Sequence, residues 1–166
     1  MTQMTRWALF SPDRRYRYEL GRRWDHTRPL CAWVLHNPSK AGEKDDDPTV
    51  RKVIGFTQRW GGFGGVVLVS PFALVATYPK ELLVAADPVG PDNVAHVRRN
   101  LASASVSRVV VAWGVVRQAL RQALRAISRD RVIDARVVCL GRTKEGFPRH
   151  PGRIGYDTPV EPWSWR

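Results

Sequence analysis

The sequence predicts a three-layer α/β domain built on a parallel sheet, and three observations carry that prediction. Four short runs, residues 31–35, 65–70, 108–113 and 135–140, are apolar at nearly every position, as strands buried on both faces are. Segments of helical periodicity separate them. Parallel neighbours need crossovers of that kind, and right-handed crossovers put helices on both faces of the sheet. At 166 residues the chain has the size of one domain, and residues 1–166 are expected to fold as a single unit.

Residues 7–10 and 16–20 flank a Ser11-Pro12-Asp13 turn, and Tyr16, Tyr18 and Leu20 alternate with charged residues, which predicts an edge hairpin. A basic connector, 21–29, follows, with Trp24 expected to pack on the sheet. The run 31–35 breaks at Asn37-Pro38 into a loop of small and charged residues. Asp46 or Asp47 is then placed to cap a helix whose first position is at or near Pro48, where a missing N–H costs nothing. Val50, Val53, Ile54 and Trp60 form its apolar stripe, and Gly61-Gly62 stop it.

After the run 65–70 comes a loop with Pro71 and Phe72, then a short helix within 76–85 capped by Thr77. Val94, Val97 and Leu101 predict a helix over 93–101, and Gly114 closes the third apolar run. Residues 116–127 carry the clearest helical pattern, with Leu120, Leu124 and Ile127 on one side and Arg117, Arg121, Arg125 and Arg129 in a basic line. The tail carries Trp163 and Trp165, which predict that it docks.

Composition narrows the function. With 27 Lys plus Arg against 15 Asp plus Glu, the net charge of +12 favours a polyanionic partner, most economically nucleic acid, without choosing DNA over RNA. Cys31 and Cys139 both lie in apolar runs and read as buried thiols of a reducing compartment. His26, His36, His96 and His150 lack ligand spacing, and successive acids at 45–47 diverge too much to hold Mg, so neither metal nor cofactor is expected. No signal-peptide core is visible, and no apolar stretch approaches the ~20 residues of a membrane helix. A cytoplasmic monomer with no membrane contact is the expectation.

In a parallel sheet the carboxyl ends of the strands share one rim, which here gathers His36, Asn37, Ser70, Phe72, Trp113 and the loop 143–154 into a candidate cleft. There is no Walker loop and no dinucleotide fingerprint, and Ser39 lacks a nucleophile elbow. No pair of carboxylates is placed for acid and base.

The motifs LHNPSKAGEKDDDPTVRKVIGF, GVVLVSPFALVATYPKEL, DPVGPDN, VVAWG and CLGRTKEGFPRHP, in that order, resemble a family of small bacterial and phage proteins classified as a domain of unknown function. Ser70 stands where that family usually has asparagine, and Val75 where it usually has arginine. More remotely, Asn37-Pro38-Ser39 after the first core strand and His150-Pro151-Gly152 after the last resemble the turn and loop of the uracil-DNA glycosylase superfamily.

That second resemblance implies a four-stranded parallel sheet in the order 2-1-3-4, counted along the four runs, and a rim that binds a flipped nucleotide. The expected activity is glycosylase-like hydrolysis of the bond between sugar and base in DNA. Asn37 would hold the water and His150 would donate to the leaving base, while Ile154 falls where the superfamily places an apolar wedge and Phe72 substitutes for a stacking aromatic. Lys40, Lys144, Arg149 and Arg153 would contact phosphates, and His36, Pro38, Ser39, Asp47, Ser70, Trp113 and Thr143 complete the expected binding surface. The alternatives are a non-catalytic nucleic-acid-binding module and an enzyme acting on free or hypermodified nucleosides or nucleotides.

Overall fold

Each apolar run contributes a strand to a mixed seven-stranded sheet. The computed structural model describes residues 3–78, 80–128 and 136–164. Strands β1 (Thr5–Phe10), β2 (Arg17–Arg23), β3 (Leu30–Val34), β4 (Gly65–Val69), β5 (Val106–Val111), β6 (Val137–Cys139) and β7 (Glu161–Pro162) line up in the order β1-β2-β4-β3-β5-β6-β7. The four neighbours β4-β3-β5-β6 are parallel. The hairpin adds to one side through the antiparallel β2–β4 pair, and the tail adds β7 to the other, antiparallel to β6. The expected parallel strands are thus the centre of a larger mixed sheet: the expected edge hairpin extends it on one side, and on the other β7, two exposed residues with no strand pattern in the sequence, adds an edge that the sequence does not predict.

Alternation along β3 explains why its run is apolar throughout. Cys31 and Trp33 point to one core, where Val50, Val53 and Phe56 of helix α1 (Pro48–Trp60) cover them. Ala32 and Val34 point to the other, shared with Leu82 of α2 (Glu81–Val84) and with Val97 and Leu101 of α3 (Asn93–Ala102). Both thiols are buried, and burial pushes the Cys31 thiol up to about 12 and that of Cys139 to about 11, so neither is a nucleophile at neutral pH.

Helix α1 begins on Asp47, whose Oδ1 accepts from the Val50 backbone N at 2.7 Å, and ends on Gly61 at φ 68°. Asp46 is no cap; it pairs with Arg22. The inner stripe is Val50, Val53, Phe56 and Thr57, with Ile54 and Trp60 only partly buried. Thr57 belongs there because its hydroxyl accepts from Trp33 Nε1 at 3.1 Å and donates to Val53 O at 2.9 Å.

Two helices start later than their sequence signals. Helix α2 has only four residues and begins at Glu81, not after Thr77, because the Glu81 carboxylate takes the Tyr78 N–H at 2.7 Å and sets the first turn there. The segment predicted as helix from 116 opens with a 3-10 turn at Gln118–Leu120, and α4 spans Arg121–Ser128. Arg129, Ala135, Trp165 and the Ile127 side chain lie outside the described residues. Trp163 docks the tail against Trp113, with ring centroids 5.8 Å apart. No helix among the described residues is long and apolar enough to cross a membrane.

Candidate active site

The chain leaves β3, β5 and β6 at the same rim. Leu35 N bonds to Val69 O, which carries β3 on into His36 and Asn37. Gly114, at φ 71°, turns the chain after β5, and its N–H donates to Pro148 O, which brings the loop after β6 alongside. The result is a cleft of about 320 Å³ whose lining includes His36, Asn37, Ser39, Asp47, Trp113 and His150. A second, more open hollow of about 480 Å³ shares Gly114, Val115 and His150 with it and adds Thr143, Arg149, Arg153 and Ile154.

Two histidines face this cleft with opposite hydrogen-bonding character. Asn37 Nδ2 donates to Pro38 O and Ala76 O, both at 3.0 Å, which fixes the orientation of the amide. Its Oδ1 therefore meets His36 Nδ1, at 3.0 Å, as an acceptor, and His36 carries its proton on Nδ1. His36 Nε2 is left with a lone pair. His150 is the reverse case: its Nδ1 accepts from Gly152 N at 3.2 Å, so the neutral ring holds its proton on Nε2. Burial lowers the pKa of both below the usual 6.5, and for His150 the neighbouring His36 lowers it further while Asp47 opposes. Near neutral pH the pair offers one acceptor and one donor, both uncharged.

Asp47 supplies the negative charge. Besides capping α1 through Oδ1, it accepts the Ser39 hydroxyl on Oδ2, a contact that ties the loop to the helix start. The positive charge comes from Arg17, at the first position of β2, which is 6% exposed and lines the same cleft. Its Nη1 donates to Ala41 O at 2.5 Å. Neither the hairpin's alternation nor its composition marks Arg17 as special, and it is the charged cleft residue that sequence reasoning missed, beside the uncharged Thr49.

The remaining expected site residues divide by position. Thr143, Arg149 and Arg153 line the open hollow, with both arginines exposed. Lys40 and Lys144 are exposed but line neither cavity. Pro38 and Ser70 are buried, and both give a backbone carbonyl to the fold: Pro38 to Asn37 and Ala76, Ser70 to Asn93 Nδ2 at 2.9 Å. Phe72 is fully buried and packs on the His36 ring, 5.2 Å between centroids, so it supports the histidine and cannot itself stack on a ligand. Ile154 is 7% exposed and joins the core with Val50 and Val53; it forms a wall of the hollow and does not project as a wedge. Among the described residues no group of three or more His, Cys, Asp or Glu could hold a metal ion.

Comparison with known proteins adds the family. The model of the family described as protein of unknown function, DUF1643, matches residues 17–152, and the chain belongs to that family. The match runs from Arg17 to Gly152 and so spans every residue of the smaller cleft. No curated protein matches the chain.

Proposed function

We propose that this member of the family hydrolyses the N-glycosidic bond of a base, natural or modified, held in the rim cleft after extrusion from DNA. The observation that carries the reading is the pairing of His36 and His150 in one cleft, one ring with a free acceptor nitrogen and the other with a free N–H. Glycosidic cleavage needs those two functions: positive charge builds on the sugar while negative charge builds on the departing base. His36 Nε2 takes a proton from the attacking water as its oxygen bonds to the sugar carbon. The bonding pair leaves with the base, and His150 Nε2–H donates to it.

The Asp47 carboxylate, in the same cleft, stabilises the positive charge on the sugar. Asn37 takes a different role from the expected one, because both its N–H groups are engaged by backbone carbonyls. It positions His36 and sets its tautomer, and the water falls to His36. A volume near 320 Å³ is at the small end of ligand pockets, about 300–1,000 Å³, and suits a single base. The exposed Arg149 and Arg153 beside it, in a chain of net charge +12, are placed for the phosphates of the strand. The resemblance to the uracil-DNA glycosylase superfamily at Asn37-Pro38-Ser39 and His150-Pro151 supports the same reading.

The test incubates the protein with DNA carrying a panel of unmodified and modified bases and looks for free base by mass spectrometry. Release is expected, at a rate that declines as pH falls below the ordinary histidine range and His36 loses its lone pair. If no member of the panel yields a base, the non-catalytic binding module takes over, a reading favoured by the complete engagement of the Asn37 amide donors.

A further inference from the structure

Arg17 is a buried charge that the fold leaves mostly unused. A guanidinium carries five N–H donors in a planar fork, and the side chain of Arg17 makes one hydrogen bond, from Nη1 to Ala41 O. Among the described residues Nε and Nη2 have no hydrogen-bond partner, neither is sealed from solvent, and the residue that carries them lines the cleft. Burying such a group without partners costs stability, and a ligand that supplies acceptors recovers it.

Charge decides which ligand fits. Burial pulls the Arg17 pKa down to about 10, with Asp47 acting the other way, so the group remains cationic at neutral pH. Asp47 lines the same cleft and offsets it, and the two histidines are held neutral by burial. The cleft therefore has no surplus positive charge for a phosphate dianion, which would also meet the Asp47 carboxylate. An uncharged group with two adjacent acceptors satisfies the fork without that repulsion.

We propose that Arg17 is a specificity-determining residue of the cleft, presenting its open guanidinium edge to a purine of the guanine type, whose adjacent O6 and N7 match that fork. This rests on the reading of the cleft as a base pocket and goes beyond it by naming the class of base.

The test is binding, read by calorimetry on the intact protein without any cleavage, so it stands or fails separately from base release. Guanosine is expected to bind more tightly than adenosine or 7-deazaguanosine, which lacks the N7 acceptor, by roughly 5- to 150-fold, the usual worth of a bidentate base contact. Arg17→Lys, which keeps the charge but loses the planar fork, is expected to bind guanosine and 7-deazaguanosine equally. The comparison of the two nucleosides on the unaltered protein does not depend on that variant folding. Equal binding of guanosine and 7-deazaguanosine by the unaltered protein, or no guanosine binding at low millimolar concentration, would overturn the proposal. So would inorganic phosphate displacing guanosine, which would make Arg17 an anion site.

Discussion

Strand β2 buries two arginines, and the fold treats them in opposite ways. Arg22 is fully buried and saturated: Nε pairs with Asp46 at 2.8 Å, Nη1 donates to Gly21 O at 2.7 Å, and Nη2 donates to Gly42 O at 2.6 Å and Asp45 O at 3.2 Å. Arg17 reaches the same loop, at Ala41 O, and makes no other side-chain hydrogen bond among the described residues. Strict alternation would turn residues five apart to opposite faces. The irregular register at the start of β2, where Leu9 pairs with Glu19 but Phe10 with Arg17, inserts one extra residue and lets both arginines reach that loop. The contrast shows where the charge of a buried cation is used: Arg22 ties the loop to the sheet, while Arg17 stands open to the cleft which that loop walls.

The largest consequence of the contrast is for stability. Arg22→Met takes from Asp46 its buried cation, leaving it only the more exposed Arg6, and strips a set of loop carbonyls of their donor; it is expected to cost about 3–5 kcal/mol in urea unfolding, as breaking buried pairs does. Arg17→Met is expected to cost less than half of that, because no direct ion pair is lost. Equal losses at the two positions would show that Arg17 is as structural as Arg22.

A smaller effect isolates the loop's other anchor. Asp47→Ala removes the α1 cap and is expected to cost about 1 kcal/mol, whereas Asp47→Asn keeps a capping oxygen and should melt close to the parent. If the carboxylate stabilises the sugar cation, both variants slow base release, so Asp47→Asn separates the charge from the cap. Full activity in a stable Asp47→Asn would remove the carboxylate from the chemistry.

The dependence on pH is more gradual. His36 and His150 have folded pKa values below the usual 6.5 because burial disfavours their charged form, and His96, stacked on Tyr18, shifts the same way. The unfolded chain then binds more protons than the folded one in the window just below 6.5. Stability is therefore full above that value and declines as pH falls through the lowered folded values. Replacing both cleft histidines with Asn should flatten the decline in a melting series, and an unchanged slope would mean that they titrate normally. The smallest effect is at the open hollow, where Arg153→Ala should lower the slope of log affinity for DNA against log salt by about one while leaving the melting temperature alone.

How much of this the sequence shows depends on how local each signal is. The α1 boundaries are legible because Asp47, Pro48 and Gly61 act within one turn of the helix ends, and the central strands because burial on both faces leaves unbroken apolar runs. The rim position of His36, Asn37 and His150 follows from those strands. The late start of α2 is not legible, since a Glu81 side chain reaching back to Tyr78 N outweighs a generic cap residue. Arg17 is hidden for a stronger reason: in a hairpin that alternates tyrosine with arginine, only a one-residue register shift and a loop 24 positions away make it part of the cleft. Phe72 and Ile154 look like ligand contacts by motif, yet packing draws both inward.

The chemistry proposed for the cleft turns on one lone pair, and single-turnover base release by His36→Ala beside the unaltered protein, with thermal melting of both, probes it. The unaltered protein is expected to free a base from at least one DNA in the panel. The variant, melting close to it, is expected to be slower by about 100-fold or more, the loss that follows removal of a positioned proton acceptor. A well-folded His36→Ala that releases base at the parental rate would contradict the assignment of His36 as the base.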